Sequence, residues 1–149
     1  PLRAVGHLDS IARASERHPG LGFARRLERS DEKRNLAWSA VELAESLDAK
    51  GIVVITRRGV MADHVTACHP RTVPIFAFTN DSGTRRRLVL NRALFAHRTP
   101  FSRDPEKTLQ TAFAALRARE GLVSGDRVVV LSDVLLGQGI DAVQVRTLP

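Results

Sequence analysis

Residues 51–56 read Gly-Ile-Val-Val-Ile-Thr, and this run constrains the fold more than any other stretch of the chain. A short, wholly apolar segment without polar alternation is a strand covered on both faces, the pattern of a parallel sheet packed between helices. The segments around it supply those helices. Residues 1–18 read as a helix started by Pro1, with Ala4, Leu8, Ile11 and Ala12 at helical spacing. Pro19-Gly20-Leu21-Gly22 breaks it, and residues 20–30 look like a linker with a basic tail. Ser30-Asp31-Glu32 then caps a helix running to about Ala49, whose stripe is Leu36, Ala40, Leu43, Ala44 and Leu47, with Trp38 as a nearby packing residue.

After the apolar run, Gly59 leads into a helix with Met61, Val65 and Cys68 on one side, ended by His69-Pro70. A second strand is expected over Val73–Thr79, a short Arg-rich helix over 84–92, a third strand over Ala93–His97, and a helix over 105–120 with Leu109, Ala112, Phe113 and Leu116 inward. The turn at Gly121–Asp126 precedes a fourth strand over Arg127–Ser132, and a last strand spans Ala142–Leu148. Strands alternating with helices specify an α/β domain with right-handed crossovers. The final two strands have only about ten residues between them and no helix, so they should pair antiparallel, because a parallel return needs a longer crossover. The expected fold is a three-layer α/β/α sandwich: a mostly parallel, five-stranded sheet with one antiparallel edge strand.

The chain has 149 residues and one cysteine, Cys68. That length suits one ordinary domain with a short attachment. A lone cysteine excludes an internal disulfide. No apolar run approaches the ~20 residues that span a bilayer, and no signal-peptide pattern is seen, so no membrane role and a cytoplasmic setting are expected. The formal charge of +7 is concentrated: residues 51–103 hold nine Arg against two Asp, and the rest of the chain holds 14 groups of each sign. A balanced remainder, no nucleic-acid motif and no aromatics interleaved with the Arg argue against a general nucleic-acid binder. A localised Arg cluster suits either a phosphate site or a solvated basic face.

Ligands of open α/β sheets bind beyond the carboxyl ends of the strands. That rule selects two loops. Thr56-Arg57-Arg58-Gly59 leaves the first strand and enters a helix, offering a hydroxyl, two guanidinium groups and helix amides to a phosphate. Gly137-Gln138-Gly139 follows the fourth strand and could close over the same ligand. Neither loop matches the P-loop or the dinucleotide fingerprint. His64 and His69 are five apart, off the spacing that shares a helical face, and no C-x-x-C occurs, so no metal site is expected. Cys68 reads as a packing thiol on a buried side. Asp133 and Asp141 flank the second glycine loop and read as turn acids, and Ser132-Asp133 has no His partner in sequence for a hydrolase triad. A small independent enzyme built on Asp133 or Cys68 is the weakest of the readings.

The order of several motifs resembles the C-terminal domain of pyruvate kinase. The resemblance is carried by Ala40-Val41-Glu42-Leu43-Ala44, by residues 49–59, by His69-Pro70-Arg71, Pro74-Ile75 and Thr79-Asn80, and by residues 121–126. It covers nearly everything from about residue 31. Pro1–Arg17 is similar to the last helix of that family's catalytic barrel. The resemblance implies two parts: a leftover barrel-type helix plus linker over 1–30, and the α/β domain over 31–149. It also implies a regulatory and assembly role without catalysis by this chain alone. The family's catalytic residues, with their magnesium and potassium, belong to the barrel, so no catalytic residue, metal or cofactor is expected here. A phosphorylated effector and a second copy of the chain are the implied partners, with a free-standing oligomerisation module as the alternative.

The effector loop of sugar-bisphosphate-regulated members resembles T-[KR]-S-G-x-[ST]. Here Thr56, Arg57 and Gly59 match, Arg58 replaces the Ser, and Met61 replaces the final hydroxyl residue. Val134 and Leu135 stand where animal and fungal members carry Trp and Arg before the later G-x-G. With two hydroxyls gone, a phosphorylated effector other than fructose 1,6-bisphosphate, or no effector, fits equally well.

Overall fold

A computed structural model describes residues 2–17, 31–132 and 142–149. The helices are α1 (Leu2–Arg17), α2 (Glu32–Ser46), α3 (Val60–Ala67), α4 (Ser82–Leu88) and α5 (Pro105–Arg119). The strands are β1 (Ile52–Ile55), β2 (Ile75–Thr79), β3 (Leu94–Arg98), β4 (Arg127–Ser132) and β5 (Ala142–Thr147). They form one five-stranded sheet in the order β3-β2-β1-β4-β5. The β1–β2, β1–β4 and β2–β3 pairs are parallel, and β4–β5 is antiparallel, with Arg127 opposite Thr147 and Ser132 opposite Ala142. The expected mixed sandwich, including the antiparallel edge, is the fold observed.

Every residue of β1 and β2 is buried, because successive side chains enter two different cores. Ile52, Val54, Ile75, Ala77, Val129 and Leu131 face α2, α3 and α4. Val53, Ile55, Phe76, Phe78, Val128 and Val130 face α5, whose Leu109, Ala112, Phe113 and Leu116 pack on them. A strand with two dry faces has no position for a polar side chain, which is why β1 reads as an unbroken apolar run.

The packing face of α2 is rotated from the expected stripe. Ala37, Ala40, Val41 and Ala44 are buried against the sheet, while Leu36 and Leu43 pack at its margin. Three alanines let the helix lie close to the strands, and the leucines then cover the flanks of that contact. Helix boundaries follow their caps. Asp31, Asp81 and Asp104 each accept a backbone N–H of the first turn, from Lys33, Thr84 and Glu106. The Asp81 cap starts α4 at Ser82, two residues earlier than expected. Helix α1 presents Leu2, Val5, Leu8 and Ile11 to solvent at 61–90% exposure. No helix among the described residues is long and apolar enough to cross a membrane.

Candidate functional site

The loop after β1 begins at Thr56, whose N–H donates to Phe78 O and extends the β1–β2 pairing by one step (2.9 Å). Thr56 is fully buried, and its Oγ1 accepts the N–H of Gly59 at 3.1 Å. Sequence reasoning assigned this hydroxyl to a ligand; in the structure it folds the loop back on itself. Arg57 and Arg58 are exposed at the tip of the turn. Gly59 is the N-terminal cap of α3 with φ 81°, a left-handed conformation, and it brings no side chain to cap the helix. Three other helices begin with an Asp that fills this role; α3 leaves its first amides to other acceptors.

The loop is anchored from the neighbouring strand and helix. Thr79, the last residue of β2, donates its hydroxyl to Arg57 O at 3.1 Å and accepts the N–H of Asp81 at 3.3 Å. Arg87 on α4 donates from Nη2 to Arg58 O at 2.9 Å and from Nη1 to Asp63 Oδ2 at 2.8 Å. Asn91 Nδ2 completes the cluster by donating to Asp63 Oδ1 at 2.8 Å. Asp63 lies in the first turn of α3, where a carboxylate is favoured by the helix amides. Of the Arg85-Arg86-Arg87 run, Arg87 makes these contacts, and Arg85 and Arg86 are exposed on α4. The missed signal is topological, since α4 sits beside the loop only once β2 has paired with β1.

The second predicted loop, Gly137, Gln138 and Gly139, lies outside the described residues, as do Asp133 and Asp141. Its starting point is described. Ser132 pairs with Ile55 in the β1–β4 register, so the chain leaves β4 beside the place where it leaves β1. Cys68 is buried with Met61 and Val65 in one core, as expected of a packing thiol. Among the described residues, no three His, Cys, Asp or Glu side chains gather in a metal-binding arrangement.

One buried polar group was not foreseen. His97 on β3 is 8% exposed and stacks on Phe78, with ring centroids 5.0 Å apart. Its Nε2 lies 3.0 Å from Glu120 Oε1, close enough for charge attraction, but the ring N–H is not aligned for a hydrogen bond. Burial pushes the His97 pKa below its ordinary value, and Glu120 only partly opposes that shift.

Comparison with known proteins agrees with this architecture. The family model described as "Pyruvate kinase, alpha/beta domain" matches residues 34–145. Pyruvate kinase isozyme A, chloroplastic, of Nicotiana tabacum is 38% identical over 111 residues, which is 74% of this chain and 18% of the relative. Pyruvate kinase isozyme G, chloroplastic, of Ricinus communis is 30% identical over 88% of this chain and 32% of the relative. The chain thus spans less than a third of the length of these two relatives. A solved Cryptosporidium parvum pyruvate kinase superposes with a TM-score of 0.73 at 22% identity, covering 82% of this chain and 25% of that one, and so shares its fold. A sheet order, a matched domain model and relatives that all agree lead to one conclusion: this chain belongs to the pyruvate kinase family and carries its C-terminal α/β domain.

Proposed function

We propose that this chain is the regulatory and assembly part of a pyruvate kinase, an enzyme that as a whole moves a phosphoryl group from phosphoenolpyruvate to ADP. In this reading the chain is not catalytic by itself. It binds a phosphorylated metabolite at the carboxyl end of β1 and passes that event on through its packing against neighbours. One observation carries the reading. The Arg57 and Arg58 side chains are exposed on a turn that leads straight into the uncapped N-terminus of α3. Guanidinium groups and helix amides together make a phosphate cradle. Thr56 and Gly59 shape the turn, and Gly137, Gln138 and Gly139, outside the described residues, are the second group that the sequence offers to the ligand.

Calorimetry with a panel of sugar phosphates and nucleotides tests the proposal. Binding by the wild-type chain, lost or weakened at least tenfold in an Arg57→Ala/Arg58→Ala variant, is the expected result, since each charge-assisted contact contributes about 1.5–3 kcal/mol. No binding by any phosphate, or equal binding by the variant, would sink it. A ligand regulates only through different affinities for two states, so the same panel should be repeated on the full-length enzyme with activity as the readout.

A second reading rests on α1. Leu2, Val5, Leu8 and Ile11 form an exposed apolar stripe, and self-association is one way for a chain to cover such a surface. Light scattering separates the readings, because a clean monomer at high concentration argues against an oligomerisation module. The compartment is also open to direct test. The sequence led us to expect a cytoplasmic protein; the chloroplastic names of the tobacco and castor relatives favour a plastid, and imaging of a tagged full-length chain distinguishes the two.

A further inference from the structure

The Arg58–Gly59 peptide is held on both edges. Its carbonyl accepts from Arg87 Nη2 at 2.9 Å, and its N–H donates to Thr56 Oγ1 at 3.1 Å. A trans peptide points its C=O and N–H in opposite directions, so the two bonds together fix the plane of this one unit. The preceding carbonyl, Arg57 O, is taken by Thr79 at 3.1 Å. Two successive carbonyls of the turn are therefore turned inward, toward β2 and α4.

Gly59 and Arg87 fit each other sterically. A Cβ built on Gly59 would overlap Arg87 Nη2 and crowd Thr84 Cγ2 and Leu88 Cδ2 at 3.1 and 3.2 Å. The guanidinium occupies the space that any side chain at 59 would need. Its other edge pairs with Asp63, a carboxylate one turn into α3. Left unpaired, that carboxylate would repel an anion approaching the same helix start.

We propose that Arg87 is the positioning residue of the β1–α3 turn: it pins the Arg58–Gly59 peptide from α4 and neutralises Asp63, so that the turn is preformed and its anion-repelling charge is masked. The second half of this inference rests on phosphate binding at the turn; the first half does not. Arg87 itself touches no ligand. Its effect is local, since an ion pair with side chains 49% and 38% exposed contributes little to global stability.

Nitrogen-15 NMR of the 149-residue chain tests both halves, using amide exchange without ligand and a titration with inorganic phosphate. Arg87→Met should speed exchange of the Gly59 amide by about tenfold, the loss of roughly one hydrogen bond's net worth, while amides of β1 and β2 keep wild-type rates. Arg87→Lys should restore only part of the protection, because an ammonium cannot serve two acceptors with the fixed fork of a guanidinium. Unchanged Gly59 exchange in Arg87→Met overturns the inference, and full protection in Arg87→Lys overturns the bidentate role. In the titration, Arg87→Met should weaken the phosphate-dependent shifts of residues 57–61, and adding Asp63→Asn should recover part of the loss without restoring slow exchange. If the wild-type chain shows no phosphate-dependent shifts, the proposed ligand falls, while the exchange data still decide whether Arg87 holds the turn.

Discussion

His97 Nε2 and Glu120 Oε1 are 3.0 Å apart on the α5 side of the sheet, close in charge but misaligned for a hydrogen bond. The imidazole is stacked on Phe78 and largely shielded from water. Burial outweighs the attraction of Glu120, so the folded-state pKa lies below the ordinary value of about 6.5. Arg119 and Arg85 act in the same direction as burial.

The sign of the pH dependence follows. As pH falls through about 6.5 the unfolded chain takes up a proton at this position before the folded chain does. Stability present above that pH is therefore lost as pH drops toward the lowered folded pKa. Urea unfolding of the wild type should show a midpoint that declines from pH 8 to pH 5. His97→Phe, which keeps a ring against Phe78 and removes the titration, should decline less. Parallel curves for the two proteins would mean that other groups carry the pH dependence.

Gly59 and Gly121 both have positive φ, 81° and 73°, but they differ in their surroundings. A Cβ at Gly121 meets nothing within 4 Å, whereas one at Gly59 overlaps Arg87. Gly121→Ala should cost only the left-handed backbone penalty, about 1 kcal/mol. Gly59→Ala adds crowding against Thr84 Cγ2 and Leu88 Cδ2, at 3.1 and 3.2 Å from the new Cβ, and should cost roughly 2–3 kcal/mol. Equal shifts in urea midpoint would remove the steric argument for a glycine at 59.

Leu116 is fully buried beneath α5, while Leu90 is 87% exposed beyond α4. Leu116→Ala should destabilise by about 2–5 kcal/mol through lost burial and a residual cavity. Leu90→Ala should stay within about 0.5 kcal/mol. The same chemical deletion thus reports the position of the core, and thermal or chemical denaturation of the pair measures it.

Asp104 accepts the N–H of Glu106 at 3.0 Å and caps α5, with Pro105 at the first helical position. Asp104→Ala should cost about 1 kcal/mol, and Asp104→Asn should recover most of it, since the amide oxygen can accept the same bond. Circular dichroism melts of the three proteins check this.

The strands, the order of elements and the antiparallel edge were all readable along the chain, because burial on two faces leaves an unbroken apolar run and a ten-residue link cannot make a parallel crossover. The position of the candidate turn was readable too, from its place after β1. Its internal construction was not. Thr56 was expected to face a ligand, yet its hydroxyl is turned back onto Gly59. Nothing local distinguishes Arg87 from Arg85 and Arg86, yet it alone among the described contacts of that run reaches across to Arg58 and Asp63. His97 carried no signal at all until Glu120 and Phe78 stood beside it.

What the sequence by itself determined is what periodicity encodes: which segments are apolar, how long they are and which caps start them. These are local properties, and short-range sterics and hydrogen bonding enforce them wherever the segment lies. What only the tertiary structure decided is which groups meet across the sheet. Arg58 and Arg87 are 29 residues apart, and their contact exists because β2 pairs with β1 and brings α4 over the turn. The same pairing supplies Thr79 to Arg57. A side chain's task in this domain is set by the neighbours that the sheet brings to it, and no local pattern in the chain records those neighbours.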